Sequence, residues 1–72
     1  MINTIENGKR LRKLRGDRSA KSVAEALGIS ESALLMFERG ERTPRDDTKC
    51  KISDFYGVSV QELFFANKQH KK

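Results

Sequence analysis

The sequence predicts an all-α fold, a compact bundle of five helices. Three observations support this prediction. Apolar residues recur at spacings of three and four, no segment shows the strict alternation of a strand, and Ser, Asn or Gly residues stand at the ends of the periodic segments. With 72 residues the chain is near the lower limit at which an apolar core alone supports a fold, so we expect one domain over residues 1–65. Residues 66–72 are expected to form a flexible basic tail.

The first helix is predicted to begin after Asn3 and to end at Gly16. Glu6 stands three residues after Asn3, which is the spacing of a capping box, in which two side chains satisfy the free backbone amides of a first turn. The apolar face of this helix is predicted to consist of Ile5, Leu11 and Leu14.

Residues 19–40 predict two short helices joined by a tight turn. Ser19 and Ser30 are well placed as N-caps, because their hydroxyls can accept hydrogen bonds from otherwise unpaired amides. Gly28 and Gly40 suit the left-handed backbone at which helices commonly end. The two predicted helices extend from about Ala20 to Leu27 and from Glu31 to Arg39.

Apolar residues indicate how these two helices meet. Ile29 precedes the second cap and Leu34 follows it by four residues, which is the spacing of a hydrophobic staple that sets the angle at which the chain enters a helix. The inward-facing residues are expected to be Val23, Ala24, Leu27, Leu34 and Phe37. Two capped helices in this order form a helix-turn-helix, a motif that can present its second helix to the major groove of DNA.

The fourth helix is predicted over about Arg45 to Tyr56, with Gly57 as its stop. Pro44 disfavours helical geometry at Thr43 but can itself open the helix. Two carboxylates suit the positive end of its dipole, those of Asp46 and Asp47. Its inner face is expected to consist of Ile52, Phe55 and Tyr56, with either Cys50 or the aliphatic stem of Lys49.

The fifth helix repeats the start signals of the earlier ones. Val58 and Leu63 have the spacing of a staple, and Ser59 and Glu62 that of a capping box. We expect the helix to end near Phe65. At least two of the three aromatic residues near this end are expected in the core rather than in a dimer contact: Tyr56, Phe64 and Phe65.

The net charge of +5 is unevenly distributed along the chain. Residues 1–21 carry seven basic and two acidic side chains, and residues 68–72 add three lysines. Residues 22–67 are net acidic, with five basic and eight acidic side chains. A basic cluster beside a helix-turn-helix is typical of proteins that contact DNA phosphates, although a solvated charged face is the simpler interpretation of such a run.

The composition argues against several other classes of protein. The single Cys50 excludes an internal disulfide and is expected to be a small buried side chain, and one His leaves too few ligands for a structural zinc site. The apolar runs are too short to cross a bilayer and the N-terminus lacks the apolar core of a signal peptide, so we expect a cytoplasmic protein. No nucleophile-base pair or phosphate-cradling glycine loop indicates an enzyme, and no cofactor is implied.

Four blocks of sequence carry a resemblance to a known family. They are GKRLRKLR, VAEALGIS, SALLMFERGERTPR and YGVSVQELF, which together span roughly residues 8–65. The chain resembles the Cro/cI-type (XRE-like, lambda-repressor-like) helix-turn-helix domains of phage repressors, antitoxins and small bacterial regulators. The resemblance implies a lambda-repressor-like bundle that binds double-stranded DNA. It also implies an ion pair between Arg15 and Glu38, which would tie the first helix to the end of the third.

The resemblance further implies which positions face DNA. On the third helix, the positions that typically reach bases match Glu31, Ser32, Ala33, Leu35 and Met36. Glu31 could accept a hydrogen bond from a cytosine amino group, and the apolar residues could touch thymine methyl groups. At the start of the second helix the family usually has a Gln that contacts the DNA backbone, whereas this chain has Ala20.

Phosphate contacts are expected from residues that flank these positions: Arg18, Ser19, Lys21, Arg39 and Arg42. Several site residues also have simpler interpretations. Leu35 could pack against the first or fourth helix, Met36 could be an adaptable surface residue, and Arg39 and Arg42 could be solvated.

Two functions therefore remain open at this stage. The first is a sequence-specific DNA-binding transcriptional regulator, acting as a homodimer because one recognition helix reads only a half-site. The second is an antirepressor or antitoxin-like module that uses the apolar surface at Leu35 and Met36 to bind a partner repressor or toxin. Ala20, the acidic middle of the chain and that apolar surface favour the second hypothesis.

Overall fold

The computed structural model describes residues 4–64 and confirms the all-α prediction. It contains five helices, and no strand occurs within the described range. The helices are α1 (Thr4–Arg15), α2 (Ala20–Leu27), α3 (Glu31–Arg39), α4 (Asp46–Tyr56) and α5 (Val60–Phe64). The predicted cap at Asn3, the tail at residues 66–72 and Phe65 lie outside the described residues.

The helix ends follow the local chemistry that the sequence predicts. The Ser19 hydroxyl accepts from the Ser22 amide and the Ser30 hydroxyl from the Ala33 amide, each at 3.0 Å. Gly28 ends α2 in the left-handed region, with φ at 74°. There the amide of the following residue, Ile29, donates to the Ala24 carbonyl, as in a Schellman motif.

The start of α5 is a formed capping box. The Ser59 hydroxyl accepts from the Glu62 amide at 2.9 Å, and the Glu62 carboxylate accepts from the Ser59 amide at 3.2 Å. The start of α4 differs from the prediction, because Arg45 is its cap residue without a side-chain hydrogen bond, and Pro44 lies buried outside the helix.

The core lies where all five helices meet. Its most deeply buried large side chains are Leu11, Val23, Leu34, Ile52, Leu63 and Phe64. Each helix contributes at least one of them, so the helix-turn-helix pair is held from behind by α1, α4 and α5. Tyr56 is half-buried against this core.

Glycine allows the close approach of α1 and α3, the pair with the most extensive interhelical contact. A Cβ added at Gly8 would overlap the backbone carbonyl of Glu38 and come within 2.8 Å of the Phe37 carbonyl oxygen. The backbone of α1 therefore rests directly on the last turn of α3. No side chain larger than hydrogen fits between them.

Three apolar residues that were predicted to face inward do not. Ile5 is 58% exposed, Cys50 is exposed, and Phe55 is 36% exposed. The reason in α4 is that Lys49, Ile52 and Ser53 are buried instead, so the buried face is rotated away from positions 50 and 55. The stem of Lys49 was one of the two predicted alternatives, and its ammonium lies over the Phe64 ring, 5.5 Å from the ring centroid.

Candidate nucleic-acid interface

The rotation of α3 about its axis determines which side chains it can present. Leu34 and Phe37 are buried, and only 5% of the Glu38 side chain is exposed. These three residues point to the core, so the opposite side of the helix faces away from the protein. Three residues spaced by four and then three positions form that side, which we call the outward face: Ser32, Met36 and Arg39.

The five residues predicted to contact bases are not equally accessible. Glu31 and Ser32 are exposed, and Met36 is half-buried. Ala33 and Leu35 are also half-buried, and both pack against the core from the two edges of the outward face. Leu35 therefore does not form the open apolar pair with Met36 that the sequence suggested. The apolar surface on α3 is correspondingly smaller.

The basic residues around α3 differ in whether they already form an ion pair or a hydrogen bond within the protein. Lys21 is exposed in the first turn of α2, and Arg42 is exposed in the loop that follows α3. Arg39 is paired with Glu41, with 3.1 Å between Nε and Oε2, and both side chains are more than half exposed. An exposed ion pair of this kind adds little stability, so Arg39 can easily exchange Glu41 for another partner. The Ser19 hydroxyl is exposed but already serves as the cap of α2.

Arg18 is exposed, but its guanidinium contacts other residues of the chain. Its Nη2 donates to the Leu14 carbonyl at 2.9 Å and its Nε donates to the Arg15 carbonyl at 3.2 Å. Its guanidinium carbon also lies 5.3 Å from the centroid of the Phe55 ring and 5.4 Å from that of Tyr56. Sequence reasoning missed this aromatic contact, because nothing in the spacing of residues 18, 55 and 56 connects them.

Arg15 and Glu38 form a two-point ion pair between α1 and α3. The Arg15 Nε and Nη2 atoms donate to the two carboxylate oxygens at 2.8 and 3.0 Å. The two side chains are only 11% and 5% exposed. The hydrogen bonds to Glu38 raise the pKa of Arg15 above its usual value, so this cation stays charged under all ordinary conditions. Such a buried pair fixes the orientation of α3 on α1.

Tyr56 lies next to this ion pair and has a buried polar atom. Its hydroxyl oxygen is inaccessible to solvent and has no hydrogen-bond partner among the described residues. Burial raises the pKa of the Tyr56 phenol above its usual value, and the negative charge of Glu38 raises it further, although Arg18 and Arg15 oppose the shift.

These observations predict the effect of Tyr56→Phe. Removing a buried hydroxyl that has no partner should leave the free energy of unfolding unchanged at neutral pH or raise it by up to about 1 kcal/mol. Because the phenol pKa is raised in the folded state, there is a pH range above about 10 in which the unfolded state loses the phenol proton but the folded state keeps it. This contribution to stability is therefore present below about pH 10 and is lost as the pH rises through the folded-state pKa.

Denaturant unfolding at neutral and alkaline pH measures both effects. The alkaline loss of stability should be smaller in the Phe variant than in the unaltered chain. A Phe variant that is clearly less stable at neutral pH would mean that the hydroxyl has a hydrogen-bond partner.

Residues 4–64 contain neither a membrane-spanning helix nor a cluster of metal ligands. None of the helices in this range is long and apolar enough to cross a membrane. No group of three or more His, Cys, Asp and Glu side chains in the same range could hold a metal ion.

Comparison with known proteins gives consistent matches. Residues 9–63 match a family model described as Helix-turn-helix. The chain is 34% identical over 56 residues to the cryptic phage CTXphi transcriptional repressor RstR of Vibrio cholerae, covering 75% of this chain and 50% of the relative. It is 37% identical over 67 residues to the HTH-type transcriptional regulator ImmR of Bacillus subtilis, covering 90% of this chain and 53% of the relative. The chain thus spans about half the length of these two curated relatives.

A solved structure matches over most of both chains. The restriction-modification controller protein C.AhdI from Aeromonas hydrophila aligns with a TM-score of 0.76 at 28% sequence identity. The match covers 85% of this chain and 96% of that one. The likeness therefore extends well beyond the helix-turn-helix pair itself.

Proposed function

Because the chain belongs to the XRE-type (Cro/cI-like) helix-turn-helix family, we propose that it is a sequence-specific DNA-binding transcriptional regulator that resembles phage and bacterial repressors. The observation that carries the proposal is the outward face of α3, which is held on a rigid support. Glu38 anchors the end of α3 through Arg15, and Gly8 allows α1 to press against its last turn. In this proposal α3 enters the major groove and the protein binds without catalysis.

The base contacts are assigned to the exposed side of α3. Ser32 can donate to or accept from any base, and Met36 can contact a thymine methyl group. Glu31, exposed in the first turn, can accept from a cytosine amino group. Ala33 and Leu35 lie at the edges of the outward face, so they contribute through their remaining exposed surface.

The phosphate contacts are assigned to exposed polar and basic residues around α3. Lys21 and Arg42 are exposed and supply charge, and Ser19, which is also exposed, precedes Lys21 by two residues at the start of α2. Arg39 can exchange Glu41 for a phosphate because their pair is open to solvent. Phosphate contacts supply most of the affinity and make it fall with salt.

We further propose that the protein binds DNA as a homodimer. One α3 reads only a few base pairs, and a two-fold pair of subunits doubles the site while matching a palindromic operator. Because such operators lie in the cytoplasm of a bacterial cell, the proposal also locates the protein there.

The alternative function, binding of a partner repressor or toxin through α3, lacks the surface that suggested it. Leu35 and Met36 are both half-buried and Leu35 packs against the core, so the apolar surface that they leave exposed is too small for a stable protein interface.

Selection from random duplexes at two salt concentrations tests the proposed function. The expected result is enrichment of a two-fold symmetric sequence whose half-sites lie about ten base pairs apart. Binding that is lost with salt and enriches no sequence would contradict the proposal and favour a protein partner.

Glu41→Gln is expected to strengthen binding to all duplexes. The change releases Arg39 from its pair and removes a negative charge next to the phosphates. One additional phosphate contact should steepen the dependence of log affinity on log salt by about 0.9. The measurement is a titration of an unrelated duplex over a range of salt concentrations.

Asp54→Asn, which neutralises an exposed acid on α4, is the matched control and should leave the salt dependence unchanged. Equal salt dependence in the Gln variant and the unaltered chain would show that Arg39 does not contact phosphate.

A further inference from the structure

The residue before the cap of α2 departs from the pattern of the other capped helices. Before α3, Ile29 precedes the cap with Leu34 at the staple position, and before α5, Val58 and Leu63 have the same relation. In α2 the corresponding position before Ser19 is occupied by Arg18, opposite the buried Val23. A guanidinium cannot form an apolar staple. Another interaction must therefore fix the angle at which the chain enters α2.

The hydrogen bonds of Arg18 supply the first half of that interaction. Two of its guanidinium nitrogens donate to carbonyls in the last turn of α1, those of Leu14 and Arg15, and its backbone amide also donates to Arg15. The turn between α1 and α2 is thereby closed on itself. A cation at this end of α1 is also favoured by the helix dipole.

The aromatic residues at the end of α4 supply the second half. The Phe55 and Tyr56 rings meet edge to face with centroids 5.1 Å apart, and the guanidinium of Arg18 lies within cation–π distance of both. This contact gives a role to Phe55, which is otherwise an exposed aromatic residue. Arg18 thus links the start of α2 to α4.

The same cluster extends to α3. Arg15 donates through Nη1 to the Arg18 carbonyl at 2.8 Å, and its other nitrogens hold Glu38. The turn before α2 and the last turn of α3 are therefore connected through one guanidinium. The relative position of the two helices of the motif depends on this chain of contacts.

We propose that Arg18 is a positioning residue, a cationic staple that fixes α2 within the helix-turn-helix, and that it does not bind phosphate. The proposal rests on the proposed function only where DNA binding is the readout. Although Arg18 is exposed, its charge is directed at carbonyls and ring faces of its own chain. This distinguishes it from Lys21 and Arg42, which are also exposed but form no hydrogen bond or ion pair with another described residue.

Three substitutions distinguish a positioning role from phosphate binding: Arg18→Leu, Arg18→Lys and Arg18→Gln. Leu loses the charge but can restore an apolar staple against Val23 and the rings, whereas Lys keeps the charge and loses the planar fork. If Arg18 is a positioning residue, we expect the Arg18→Leu variant to bind the selected duplex about as well as the unaltered chain. The Arg18→Lys and Arg18→Gln variants should bind it about two- to fivefold more weakly. The thermal midpoints should follow the same order, and the salt dependence should not change. Lys13→Gln, an equal charge loss at an exposed position of α1, controls for net charge.

A phosphate ligand would give the opposite order. The Arg18→Lys variant would then bind about as well as the unaltered chain. The Leu and Gln variants would each lower the slope of log affinity against log salt by about 0.9. That outcome would overturn the proposal.

Tyr56 gives a readout that does not need DNA. It is the only tyrosine and the chain has no tryptophan, so the ultraviolet absorbance of tyrosinate reports on this residue alone. Because the Arg18 charge lowers the pKa of Tyr56, the Leu and Gln variants should titrate at higher pH than the unaltered chain. An unchanged Tyr56 titration together with unchanged thermal midpoints would also overturn the proposal. If the unaltered chain binds no duplex, the proposed function fails, but the titration and the midpoints still test the role of Arg18.

Discussion

Glu38→Ala is expected to lower the free energy of unfolding by about 3–5 kcal/mol, the largest effect of any single substitution considered for this chain. The carboxylate accepts both hydrogen bonds from Arg15, and both side chains are almost fully removed from solvent. Without Glu38, the Arg15 guanidinium stays buried with one remaining acceptor, the Arg18 carbonyl. The uncompensated charge, more than the lost attraction, causes the destabilisation.

Denaturant unfolding of Glu38→Ala, Arg15→Met and the double variant Arg15→Met with Glu38→Leu measures this effect. Apolar side chains that replace both partners of a buried pair often restore stability, so the double variant should be more stable than the Glu38→Ala variant. If Glu38→Ala costs less than about 1 kcal/mol, the pair behaves as a solvated one and does not orient α3.

Gly8→Ala should destabilise the fold by about 2–4 kcal/mol although alanine is the better helix former. The expected gain in helix propensity is about 1 kcal/mol. The added methyl group outweighs this gain because it would overlap the backbone of α3 at Glu38 and Phe37. Backbone atoms cannot move aside as a flexible side chain can. The two helices must therefore separate, which disturbs the core behind α3.

Thermal unfolding provides the measurement, since 1 kcal/mol corresponds to a shift in Tm of about 4–8 °C in a domain of this size. Gly16→Ala is the matched control. Gly16 has a φ of 61° and nothing within 4 Å of an added Cβ, so alanine there suffers only the strain of the left-handed backbone, about 1–2 kcal/mol. A Gly8→Ala variant as stable as the unaltered chain would mean that α1 and α3 lie further apart.

Much of the fold follows from local chemistry in the sequence. The serine caps, the left-handed glycines and the capping box at Ser59 each act within a few residues, so their geometry is encoded where it is needed. The predicted α2 and α3 accordingly have the same bounds as the observed helices.

The errors arose where small or polar residues are buried. In α1, Asn7 and Gly8 face the core with Leu11, and neither gives an apolar signal, so Ile5 was wrongly assigned to the inner face. In α4, buried Lys49 and Ser53 likewise shift the inner face away from Phe55. Periodicity of apolar residues locates a helix but does not fix its rotation when the partner helix demands a glycine or a polar contact.

The candidate site was predictable in position but not in the state of its side chains. Ser32 and Met36 follow from the rotation set by Leu34 and Phe37, which the sequence indicates. The engagement of Arg18 with the rings of α4, and that of Arg39 with Glu41, depends on tertiary contacts that spacing along the chain does not encode.

We propose that α3 reads DNA sequence through its outward face. The most direct measurement repeats the duplex selection with Ser32→Ala and with Met36→Ala, using Lys13→Ala on the exposed side of α1 as the control. Each α3 variant is expected to relax the preference at one or two base pairs of each half-site, by about 1 kcal/mol per pair, while the rest of the preferred sequence and the control stay unchanged. If both variants select the same sequence as the unaltered chain with the same preference at every position, α3 is not the element that reads DNA.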